Sequence, residues 1–129
     1  MRHRAAWRSF EGPPGDAAVS GCNVIQRLFK LPLEQLGPRQ SDFTTFSRIH
    51  GPAHACRVQA LTVVLCRRMG FTEELPAAFC AGFLHDLSRR DDGLCSEHGR
   101  WAVEEKLELH APFFARLGVD ARGLEQIRS

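Results

Sequence analysis

The run Pro76-Ala-Ala-Phe-Cys-Ala-Gly-Phe-Leu-His-Asp86 constrains this chain more than any other stretch. It is apolar until its last two residues and reads as a helix with no polar face. Such a helix must be surrounded by protein, so the rest of the chain has to fold around it. The run then ends on His85 and Asp86. A carboxylate placed where the chain reads as core needs a partner or a metal ion. An adjacent imidazole and carboxylate supply one borderline nitrogen and one hard oxygen, which suits a divalent cation.

Helical signals surround this run. Pro52 suits the first position of a helix and Gly70 a C-terminal stop, so a helix is expected from Pro52 to Met69. Val58, Leu61, Leu65 and Met69 form its apparent core stripe. This helix puts His54 in its first turn and leaves His50 outside, because the residue before a proline avoids helical backbone. The buried helix is expected to start at 72 or 76 and reach 87. After a polar loop, Ser96 is expected to cap a third helix over 97–110, with Trp101, Ala102 and Leu107 facing the core. Pro112 is expected to open a short separate helix ending at Gly118, and Asp120 to cap a last one. Upstream, Asn23 is expected to cap a short helix through Val24, Ile25, Leu28 and Phe29. Residues 38–50 read as an approach loop with a helical turn near 42–46. No strand pattern or internal repeat appears, so the expected class is all-α. The expected division is a poorly defined segment over 1–40, with a short helix in it, and a helical domain over 41–129.

Bulk properties remove several function classes. The 129 residues suffice for one modest domain, and a net charge of +2 gives no reason to expect a nucleic-acid or membrane partner. Five cysteines without a Cys-x-x-Cys pair argue against a zinc knuckle. Cys56, Cys66 and Cys80 fall on apolar helical stretches, which favours a reducing, cytoplasmic setting. No apolar run approaches the ~20 residues of a membrane span, and the charged start, with no apolar stretch after it, is not expected to act as a secretory signal. A Gly-rich phosphate loop, a Gly-x-Ser-x-Gly elbow and a His-Glu-x-x-His motif are also missing.

Two further clusters accompany His85-Asp86: Ile49-His50-Gly-Pro-Ala-His54-Ala-Cys-Arg57-Val58 upstream and Glu97-His98-Gly99 downstream. Taken together, these residues resemble the HD-domain superfamily of metal-dependent phosphohydrolases over residues 47–129. The resemblance implies a helical bundle in which His54, in His-x-x-Arg-Val, and the His85-Asp86 doublet ligate a divalent ion. Mn, Fe, Co, Ni and Zn suit such ligands, and Mg is a poorer match. It further implies that Asp86 bridges metals or orients the attacking water, and that His98 supports the ligands from behind or faces the substrate, with a general acid for the leaving oxygen among its roles. A fourth ligand, an Asp on a later helix, is expected beyond Ser129.

Arg57, Arg89 and His50 are candidates for contact with substrate. A structural salt bridge from Arg57 to Asp86 is the favoured role for that arginine. Arg90 is a further phosphate candidate, and Asp91, Asp92 and Glu97 are weaker candidates for a general base. Asp120 is the one late acidic residue able to replace the missing ligand, although its setting reads as a helix cap. His110 and His3 are expected at the surface. The partner implied is a small phosphorylated substrate, a nucleotide among the options. The alternative is a degenerate or truncated HD fold that binds without turnover. A plain helical domain with an accidental His-Asp pair is a third reading.

Overall fold

A computed structural model describes residues 21–129. His3 and the expected turn at 11–15 lie outside the described residues. The described chain is all-α, with helices α1 (Gly21–Phe29), α2 (Pro52–Met69), α3 (Leu75–Leu84), α4 (His98–Arg116) and α5 (Ala121–Arg128). Single 3-10 turns lie at Leu33–Gln35 and Gln40–Asp42, the second slightly ahead of the turn expected near 42–46. Asn23 sits inside α1 rather than ahead of it. Among the described residues no helix is long and apolar enough to cross a membrane.

Both limits of α2 match their sequence signals. Gly51 is the extended N-cap, Pro52 opens the helix, and Gly70 closes it in the left-handed region at φ 75°. Gly51 is also sterically required, since a Cβ there would lie 2.7 Å from the Ser47 carbonyl oxygen. The buried face is the opposite of the one expected. Ala55, Cys56, Gln59, Ala60, Val63 and Cys66 are buried, whereas Leu61, Leu65 and Met69 are exposed. The reason is close helix packing. At Gly82 of α3, a Cβ would already meet Gln59 Cγ at 3.3 Å and Val58 Cγ1 at 3.4 Å. Small side chains allow that approach, and leucines there would hold the helices apart.

α3 is the central helix, with α2, α4 and α5 packed on it. Leu75, Ala77, Phe79, Cys80, Phe83 and Leu84 are buried, as its all-round apolarity requires. It ends at Leu84, short of the expected 87. Residues 85–88 continue as a tight turn, with Leu87 N–H donating to Leu84 O at 3.0 Å and Arg89 N–H to Asp86 O at 3.2 Å. The His-Asp pair therefore sits where the buried helix unwinds.

α4 is one continuous helix, and Pro112 lies inside it rather than opening a new one. A mid-helix proline forfeits a backbone bond and crowds the preceding turn. The helix persists because Ala102, Leu107 and Phe114, on both sides of the proline, are anchored in the core. Ser96 does not cap it; the N-cap is Glu97, without a side-chain cap bond. Asp120 does cap α5, accepting from Gly123 N–H at 2.8 Å.

No break in the core falls at residue 40. Ile25, Leu33 and Leu36 share one cluster with Phe79, Leu107 and Phe114. Gln59, fully buried, donates its Nε2 to Leu36 O at 3.1 Å and ties this segment to α2. Cys56, Cys66 and Cys80 are buried, and burial pushes the Cys80 thiol well up.

Candidate metal centre

The first turn of α2 and the unwinding end of α3 bring three donor atoms together. His54 Nε2 lies 3.3 Å and His85 Nε2 3.0 Å from Asp86 Oδ2, and the two nitrogens are 3.4 Å apart. Ligand bonds of about 2.1 Å place neighbouring donors about 3.0 Å apart in an octahedral shell and about 3.4 Å apart in a tetrahedral one. The observed separations fall in that range, so His54, His85 and Asp86 can hold a metal ion. Asp86 is buried, while the two imidazoles are each about one-third exposed, at 32% and 29%. The cluster thus has a closed floor and an open side.

Backbone carbonyls aim the imidazoles. His85 Nδ1 lies 2.6 Å from Gly82 O, and His98 Nδ1 2.6 Å from Cys95 O. A carbonyl only accepts, so each Nδ1 carries the proton and each Nε2 of a neutral ring carries a lone pair. This outer hydrogen bond is the usual way a ligating histidine is held in register. In His85 the lone pair points at the Asp86 carboxylate. Two electron-rich atoms at that separation need a proton or a cation between them.

The titration behaviour follows the same geometry. Burial alone would raise the Asp86 carboxyl; the His85 hydrogen bond and charge, then Arg89, overcome it and hold Asp86 well below the usual range. Burial lowers His85, but the Asp86 hydrogen bond and charge, with the Gly82 carbonyl, leave it raised. His54 is lowered, chiefly by burial, against the opposing pull of Asp86 and with the help of His85, His50 and Arg57. A lowered His54 is neutral at pH 7 and free to ligate.

The other Asp86 oxygen has its own partners. Arg89 Nε donates to Oδ1 at 2.7 Å, and His98 Nε2 lies 3.5 Å from the same atom. His98 is thus brought to the site from the start of α4. Arg89 also donates to Gly93 O at 3.2 Å and is mostly buried. The pairing expected of Arg57 is made by Arg89 instead. Arg57 is exposed on α2 and has no carboxylate partner among the described residues, because the short step from Asp86 to Arg89 within one turn is already filled.

His50 approaches from the loop before α2. Its ring meets that of His54 edge-on, with centroids 5.5 Å apart, and its Nδ1 lies 2.9 Å from Asp92 Oδ1. Ser47 donates to the same Asp92 oxygen. Arg90 turns away to Glu105 and stacks 3.9 Å over the Trp101 ring. Asp91 accepts from Gly93 N–H within its own turn, and Glu97 pairs with Arg100. Asp120 is not a replacement ligand. Its Oδ1 is used by the α5 cap, beside Pro76 at the far end of α3, about 14 Å of helix from His85. His110, expected at the surface, is packed against Phe83 and Phe114 and only 12% exposed.

Sequence reasoning missed the loop that braces the site. Thr44 N–H donates to Leu87 O at 2.8 Å and Thr45 Oγ1 to Arg89 O at 2.9 Å, pinning the His-Asp turn from outside. An irregular loop has no periodicity by which such contacts could be read.

No family model matches the chain, and neither a curated protein nor a solved structure is significantly similar to it.

Proposed function

We propose that the chain is a metal-dependent phosphohydrolase domain of the HD type, acting on a phosphomonoester or nucleotide through attack by water. The observation that carries this reading is the convergence of His54 Nε2, His85 Nε2 and Asp86 Oδ2, with one side open. A divalent ion held by His54, His85 and Asp86 would supply Lewis acidity, lowering the pKa of a water towards ~7 and polarising a phosphoryl oxygen. In this reading Asp86 stays ionised, held by Arg89, and presents one oxygen to the open side. His85 and His54 keep neutral nitrogens on the same point. His98, close to the second oxygen of Asp86, is the group placed to give a proton to the leaving oxygen. His50 and Asp92 border the opening and are placed to meet the substrate.

Hydrolysis of an aryl phosphate with added Mn or Co, alongside metal analysis of the purified chain, tests this. Metal-dependent turnover that is lost in Asp86→Ala is the expected result. Turnover that persists with chelator, or in Asp86→Ala, would sink the mechanism.

A second reading is supported by one feature. Among the described residues no further carboxylate joins the three ligands. A site so sparsely ligated suits a fold that binds an ion or ligand without turnover, and metal binding with no hydrolysis would favour it.

A further inference from the structure

The exposed side of α2 carries an apolar ridge that nothing in the described chain covers. Leu61, Val64, Leu65 and Met69 recur at helical spacing and are 53%, 37%, 56% and 61% exposed, and Phe71, just past the helix end, is 45% exposed. Neighbouring side chains this open form a patch on the order of several hundred Å², the scale at which exposed apolar surface marks an interaction site. The ridge is the reverse of the face built from Ala55, Cys56, Ala60 and Val63, so burying it inside this domain would unpack the helix from α3.

The charge on the ridge is one-sided. Arg57 stands one turn before Leu61, Arg68 one turn after Val64, and Arg67 on the flank; α2 contains no acidic residue. All three arginines are exposed, and none pairs with a carboxylate among the described residues, Glu73 and Glu74 included.

We propose that this ridge docks an amphipathic helix of a partner protein, with an apolar stripe flanked by Glu or Asp. Helix-on-helix docking reads such i, i+3, i+4 anchors, and the arginine fork matches carboxylates bidentately. A second copy of the chain fits poorly, because antiparallel pairing sets Arg57 against Arg68 and parallel pairing sets like against like. The chain's own first twenty residues carry Arg2, Arg4 and Arg8 against Glu11 and Asp16, so they do not supply the missing negative charge. A lipid surface is less suited, since the ridge is aliphatic and has only Phe71 as an aromatic anchor.

Fluorescence anisotropy on the full 129-residue chain tests this. The probe is a labelled synthetic helix of about twenty residues, with Leu at i, i+3, i+4 and i+7 and Glu on both flanks. Its companion replaces every Glu by Lys. The Glu helix should bind at least about tenfold tighter than the Lys helix, a difference of roughly 1.4 kcal/mol. Leu61→Glu with Leu65→Glu should abolish binding. Arg67→Glu with Arg68→Glu should invert the preference, with circular dichroism unchanged because these side chains are exposed. Equal binding of both helices, or none, overturns the proposal. So does a dimer in light scattering that Leu65→Glu dissolves, which would assign the ridge to self-association. Binding of phosphatidylserine vesicles in place of the Glu helix overturns it in favour of a membrane.

Discussion

Arg89 Nε and Asp86 Oδ1, 2.7 Å apart across a single turn, divide the buried carboxylate into two halves. One oxygen is anchored by the guanidinium, and the other is left facing His54 and His85. Arg89 is therefore a positioning residue. Removing it should strand a carboxylate in the core, and breaking a buried pair from one side costs about 3–5 kcal/mol. Arg89 keeps some exposure, so Arg89→Met should fall near the lower end, about 3 kcal/mol, in urea unfolding of the chelator-treated protein. No change in midpoint would mean the pair is ornamental.

Ion binding should be visible as stability. A ligand at about 100 times its Kd that binds only the folded state adds about 2.7 kcal/mol. Excess Mn, Co or Zn should raise the melting temperature of the wild type. His54→Ala and Asp86→Ala should each lose the response, whereas Asp120→Ala should keep it, because Asp120 serves only the α5 cap. A shift of equal size in all variants would show that the ion binds elsewhere.

Phe83 is 4% exposed and packs on His110, Phe113 and Phe114. Phe83→Ala should destabilise by about 3–5 kcal/mol, since the cavity lies at the joint of α3 and α4. A cost under about 1 kcal/mol in chemical denaturation would contradict the central placement of α3.

His110 gives a pH dependence of known sign. Burial lowers it from its ordinary value of 6.5, partly opposed by Asp42. The unfolded chain then binds a proton more readily than the folded one. The contribution is fully present above pH 6.5 and is lost as pH falls from there through the lowered folded value. Denaturation midpoints of wild type and His110→Gln, compared across that window with metal absent, should converge as the solution is acidified. Parallel curves would show that His110 titrates as a free imidazole.

Legibility from sequence followed physical range. The limits of α2 were readable because Pro52 and Gly70 act through their own backbone. The burial of α3 was readable because it is apolar on every side, whereas the meeting of His54 with His85 and Asp86 was expected from the resemblance alone, since no local signal sets how two helices approach. The face that α2 buries was not readable. Leu61 and Leu65 have the stronger hydrophobic signal, but α2 approaches Gly82 closely through Val58 and Gln59, and the face that is buried carries Ala55, Cys56 and Ala60. Pro112 was misread for a similar reason, since distant packing outweighs a local break. His110 looked like a surface residue because its aromatic neighbours Phe83 and Phe114 arrive partly from another helix.

Gly82 joins two of these features. Its missing side chain sets how near α2 comes to α3, and its carbonyl turns the His85 ring. The span between His54 and His85 is therefore gauged by one hydrogen atom. Adding a methyl group there would ask Gln59 to yield by a few tenths of an ångström. One residue without a side chain thus governs both how closely the two helices pack and how the His85 imidazole is held.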